Sequence, residues 1–147
     1  MKRSEFIQLM KTVCADEKYT FQHGFPYRMN EGSDGYPLFW LCPPSLLSRK
    51  VTGISPGELE SETNYEATAY IHHLNENFTE EQKEEVWQEQ EDIAMKILNL
   101  LPVYEFNGTQ SDIISVTEIR CEPDEFQHKD GTISMVVTFK YRLYDCR

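Results

Sequence analysis

Basic residues are scarce in this chain. Lys and Arg number 14 against 25 Asp and Glu, a formal net charge of −11 over 147 residues. Gripping phosphate requires clustered cations, so this balance argues strongly against a protein whose main task is to hold nucleic acid. It leaves open a protein lining a path along which nucleic acid slides, a protein that meets a basic partner, and plain solubility. Long apolar runs are also missing. No stretch approaches the ~20 apolar residues of a membrane span. The start, Met1-Lys2-Arg3-Ser4-Glu5, leads into an amphipathic pattern containing Gln8, Lys11 and Asp16. An export signal needs an uninterrupted apolar stretch there, so the expectation is a cytoplasmic chain without a membrane partner.

Cysteine is sparse as well. Cys14, Cys42, Cys121 and Cys146 lie far apart, with no CxxC or CxxH pair. This favours buried, reduced thiols over a disulfide framework and disfavours structural zinc, whose ligands usually come in close pairs. Catalytic signatures are lacking: there is no GxSxG elbow, no glycine-rich phosphate loop and no HExxH spacing. His72 and His73 are adjacent, and neighbours on a strand project to opposite faces, so one ion cannot easily take both. Carboxylates abound, yet nothing marks any pair as buried for acid–base work. The expectation is a non-enzyme with no catalytic residue, no metal and no cofactor.

What is present is periodicity. Ile133, Met135, Val137, Phe139, Tyr141 and Leu143 alternate with Thr132, Ser134, Thr138, Lys140 and Arg142. That period of two marks a strand with one buried and one wetter face, to which only Val136 and Tyr144 add apolar character. Lys129-Asp130-Gly131 would join it to the preceding strand as a C-terminal hairpin. Tyr65, Ala67, Ala69 and Ile71 alternate in the same way within a strand over 64–74. Residues 36–42, nearly all apolar between Gly35 and Pro43-Pro44, read as a short buried strand. Residues 45–63, polar and containing Gly53, Pro56 and Gly57, read as a long loop, functional or mobile. Residues 19–35 read as irregular, with a short extended piece at Tyr19-Thr20-Phe21.

Two helices complete the pattern. The first is expected from Ser4 as N-cap to about Ala15, with Phe6, Met10, Val13 and Cys14 on one stripe. In the second, Thr79-Glu80-Glu81-Gln82 has the form of a capping box, Val86, Ile93, Ile97 and Leu101 form the buried stripe, and Pro102 ends it. Sheet and helices segregate, so residues 1–147 read as a single α+β domain. Its antiparallel or mixed sheet would have about four strands, with helices packed on one face.

Two groups of side chains stand out as candidate surfaces. Glu80, Glu81, Glu84, Glu85 and Glu89, with Glu91 and Asp92, form an acidic block offset only by Lys83. It is either a solvated helix face or a repulsive, partner-reading surface. Aromatics make up 12% of the residues and crowd before residue 41. Core packing is the default reading there, and Tyr27, Tyr36 and Trp40 are the candidates for the alternative, rigid contact anchors.

The order of these segments resembles a known group. A strand ending in Phe39-Trp40-Leu41-Cys42-Pro43-Pro44 is followed, after a loop, by Tyr65-Glu66-Ala67-Thr68-Ala69-Tyr70-Ile71. A helix ending Ile93-Ala94-Met95-Lys96-Ile97-Leu98-Asn99-Leu100-Leu101 follows, and then a hairpin whose last strand contains Val137 to Cys146. The layout is similar to that of small tail terminator and tail-completion proteins of tailed phages and prophages. The resemblance implies a structural protein that assembles with itself into a ring, often hexameric, around a DNA channel. It further implies contacts with other tail or head-completion proteins, no specific nucleic-acid binding, and a passage from host cytoplasm into the virion. The acidity suits such a lumen, since like charge lets DNA slide. It equally suits an immunity or inhibitor protein that covers a basic partner.

Overall fold

The computed structural model describes residues 2–28, 35–55, 58–74, 76–101, 112–125 and 132–146, without the side chains of 27, 52–55, 58–60, 112, 113, 125, 145 and 146. The order is α1 (Arg3–Asp16), β1 (Thr20–His23), a 3-10 turn (Pro26–Arg28), β2 (Leu38–Leu41), β3 (Ser45–Ser55), β4 (Glu58–Leu74), α2 (Glu80–Leu100), β5 (Asp112–Glu125) and β6 (Thr132–Cys146). The fold is α+β, with two helices and one mixed sheet of six strands.

The strands run β1-β2-β4-β6-β5, with β3 also paired to β4. Only β1 and β2 are parallel. The spine is the antiparallel pair β4 and β6, joined from Glu60↔Cys146 to Leu74↔Thr132 without a register shift. β5 adds to β6 as the expected hairpin partner. The expected turn at Lys129-Asp130-Gly131 and the helix stop at Pro102 lie outside the described residues.

Residues 45–63 correct the expectation of a loop. β3 pairs with the first half of β4, from Ser45↔Glu66 to Ser55↔Glu58, with shifts after Leu46 and Gly53, while the other side of β4 pairs with β6 from Glu60 onward. Its residues are mostly polar or small, so no apolar alternation announced a strand. Backbone pairing with the spine supplies what side-chain burial does not. The sheet therefore has six strands rather than about four: the segment read as a loop supplies β3, and β1 grows from the short extended piece. β2 and β3 lie end to end along one edge of β4, with Pro43 and Pro44 between them.

Both helices pack on one face of the sheet, over a single core. From β6, Met135, Val137, Phe139 and Tyr141 point into it, matched across the register by Ile71, Ala69, Ala67 and Tyr65. The stripe of α1 closes it, and Phe6 stacks on Tyr141 with ring centroids 4.2 Å apart. Tyr65 stacks on the same tyrosine at 5.2 Å. α1 begins one residue before Ser4, with Lys2 as N-cap and no side-chain cap bond. α2 begins as its sequence requires: Thr79 and Gln82 satisfy each other's backbone N–H in a complete capping box. Lys96 on α2 pairs with Glu17 at the end of α1 at 2.9 Å, tying the two helices together.

β5 keeps its apolar side on the core by means of a bulge. Ile114 and Val116 face the helices, Thr117 is left over, and Ile119 and Cys121 face them again. One extra residue thus restores the parity that a period of two would otherwise lose.

Candidate functional site

The acidic block of α2 stays outside. Its buried residues are Gln90, Ala94, Ile97 and Leu98. Glu80, Glu81, Glu84, Glu85 and Glu89 are all exposed. Glu80 takes an ion pair from Lys83 at 3.2 Å, and Glu89 approaches His73 Nε2 at 4.0 Å. The helix therefore presents a row of carboxylates to solvent, the geometry that either reading of the block requires.

The aromatic candidates do not form one surface. Trp40 is only 5% exposed, on the face away from the helices. Its indole N–H donates to the Gly24 carbonyl at 2.9 Å, and it packs with Cys42 and Tyr70. Gly24, just past β1, is held against Trp40 by this bond and by its own N–H, which donates to the Leu41 carbonyl at 3.1 Å. Gly24 has φ of 153°, and a Cβ there would sit 3.3 Å from the indole, so glycine suits both the backbone and the contact. Trp40 is thus spent inside the molecule. Tyr36 is half-buried just ahead of β2. Tyr27 belongs to the 3-10 turn, and its side chain lies outside the described residues.

His72 and His73 point to opposite faces, as strand geometry demands. His72 hydrogen-bonds Ser134 across the register on the helix-free face. His73 faces the helices and meets Gln90, Tyr19 and Glu89. Gln90 is fully buried, and its amide nitrogen lies 3.2 Å from the Ile71 carbonyl, 3.0 Å from the Ile133 carbonyl and 3.0 Å from His73 Nδ1. Two carbonyl oxygens fix that atom as the nitrogen, and an amide nitrogen only donates. His73 Nδ1 must therefore accept, which places the ring proton on Nε2, toward Tyr19 and Glu89. Burial holds the His73 pKa below its ordinary value, against an upward pull from Glu89. Sequence reasoning missed this network. The signal was a glutamine four residues after Val86, inside the stripe assigned to the core.

The three described thiols are held neutral. Burial pushes Cys14 up to about 12 and Cys42 up to about 11. Burial, with Glu91 beside it, also raises Cys121. Thiolate is the reactive form, so these side chains are poor nucleophiles where they sit. No group of three or more His, Cys, Asp or Glu converges as a metal site among the described residues. On the helix-free face a depression of about 80 Å³ is lined by Glu66, Glu118, Arg120, Thr138, Phe139 and Lys140. That is well below the roughly 300 Å³ at which small-molecule sites begin.

No protein-family model matches the chain, and no curated protein matches it significantly.

The remaining feature is the edge of the sheet. Among the described residues, no strand pairs with the outer side of β3 or of β5. β3 also carries Leu46, Leu47 and Val51, which are 56%, 51% and 59% exposed. These are half of the large hydrophobic side chains found exposed among the described residues. An open strand edge with apolar side chains is a template for pairing with another chain. Among the described residues, no helix is long and apolar enough to cross a membrane.

Proposed function

We propose that the protein is a non-enzymatic structural component that works by assembling with copies of itself. The suggested setting is a ring around a DNA channel in a phage or prophage tail, next to other tail or head-completion proteins, entered from the host cytoplasm. The observation that carries the self-assembly reading is the open edge of β3, where the exposed Leu46, Leu47 and Val51 gather. A chain that acted alone would be expected to cover or charge such an edge throughout. The exposed carboxylates of α2 support the channel part of the reading, because fixed negative charge repels phosphate. The setting in a tail rests on the order of the elements.

The same carboxylates favour one second reading, an immunity or inhibitor protein that binds a basic partner by charge complementarity. The two readings separate on mass. Light scattering across a wide concentration range, followed by negative-stain imaging, is expected to give closed rings with a central hole. A protein that stays monomeric throughout and binds a basic partner with strong salt dependence would replace the ring reading by the second one.

A further inference from the structure

The self-assembly reading leaves open which surfaces meet. We infer that the partner of β3 is β5 of a second copy of the chain, laid on it antiparallel and head to tail. The first support is strand direction. β3, β4, β6 and β5 are successive antiparallel neighbours. Across an even number of alternating strands, the outer two run in opposite directions. A copy moved sideways and slid along the strands so that its β5 clears β1, without being turned over, therefore brings its β5 antiparallel to β3 with its helices on the same face. The sheet continues from one copy to the next, and every interface repeats the last.

The second support is charge. β3 contains Arg49 and Lys50 and no acid. Both are exposed. β5 contains five carboxylates and one arginine, with Glu118 and Glu122 exposed. Pairing β3 with β3 would set cations against cations, and pairing β5 with β5 would set carboxylates against carboxylates. Only the mixed junction is attractive. Charge thus selects the heterologous arrangement, which closes into a ring or runs on as a filament, over a twofold dimer.

The third support is the side-chain pattern. Leu46 and Val51 lie opposite Tyr65 and Ser61, on the helix side of the sheet. Val116, Ile119 and Cys121 of β5 are half-buried on that same side. Lys50 lies opposite Glu62, on the helix-free side, where Glu118 and Glu122 of β5 also point. Arg49 lies opposite Thr63, among the apolar side chains on the helix side, so joining the strands matches apolar with apolar on that face and sets Lys50 on the face of Glu118 and Glu122. β1 stands beside β2 along the other half of that edge, and its own outer side is open as well, but it is four residues long against eleven in β3, too short to seat β5.

The test is sedimentation velocity at low salt on the full chain and two double variants, each checked for folding by circular dichroism. Arg49→Glu with Lys50→Glu, and Glu118→Lys with Glu122→Lys, should each weaken self-association about tenfold or more. An equimolar mixture of the two should associate again, since every junction in an alternating assembly regains opposite charges. Wild-type chain that associates while both variants do so equally well would overturn the edge pairing and leave self-assembly standing. Wild-type chain that is monomeric at every concentration would overturn both. Should a reversal unfold the protein, Lys50→Cys and Glu122→Cys copies replace it. A short thiol cross-linker should join the two kinds of copy in preference to like copies, and no such preference would overturn the pairing.

Discussion

Gln90 illustrates how one buried side chain sets the state of another. Its amide nitrogen sits between two strand carbonyls and His73 Nδ1, so it fixes the imidazole tautomer and opposes a proton at Nδ1. Burial acts in the same direction, and only Glu89 pulls the other way. The folded-state pKa lies below the ordinary 6.5, so the unfolded chain takes up the proton first as pH falls. His73 therefore costs no stability above that value. It removes stability progressively as pH drops through 6.5 toward the folded-state pKa. Urea unfolding at neutral and mildly acid pH should show this loss, and His73→Gln should flatten it. An unchanged acid loss in the variant would assign the effect to other groups. This network was only half legible in the sequence. A glutamine on the core stripe of α2 was visible, but its partners come from β1's approach, β4 and β6, and only the strand register brings them together.

At the scale of elements, a signal was readable where burial wrote it. The spine strands and α2 show their periods because one side of each faces the core. The capping box of α2 is a local motif and folds as written, with Thr79 accepting from the Gln82 N–H at 3.2 Å. Thr79→Ala should cost about 1 kcal/mol by urea unfolding and speed amide exchange chiefly in the first turn of α2. Equal exchange along the whole helix would mean that the cap is not a local device. β3 was illegible for the converse reason. It is held by a backbone ladder to β4 while its side chains face mostly solvent, and such a strand carries no alternation to read. Trp40 was open to two readings, core packing and surface contact. Aromatic content marks large apolar surface, and only the contact with Gly24 decides that this surface is buried within the molecule.

For the molecule as a whole, charge is segregated while both helices share one main core. Carboxylates line the outer side of α2 and predominate on β5, whereas β3 is basic. The helices anchor the sheet from one side, and among the described residues no strand pairs with the outer side of β3 or of β5. Self-association through those strands should therefore weaken with added salt, in contrast to an interface built on apolar area alone. The bulge at Thr117 has a different bearing, on how the chain tolerates changes of length. β5 holds one residue more than its pairing with β6 uses between Val116 and Glu118. That residue is slack. Deleting Thr117 leaves Ile114, Val116, Ile119 and Cys121 all in phase with the core, whereas β6 has no slack against β4. Deleting Thr138 would turn one half of the β6 stripe outward. The Thr117 deletion should remain folded with a modest fall in urea midpoint, and the Thr138 deletion should not fold, as circular dichroism would report. Drift in the length of this protein is thus expected to collect in its outer strand and to spare the inner pair, whose phase every other strand inherits.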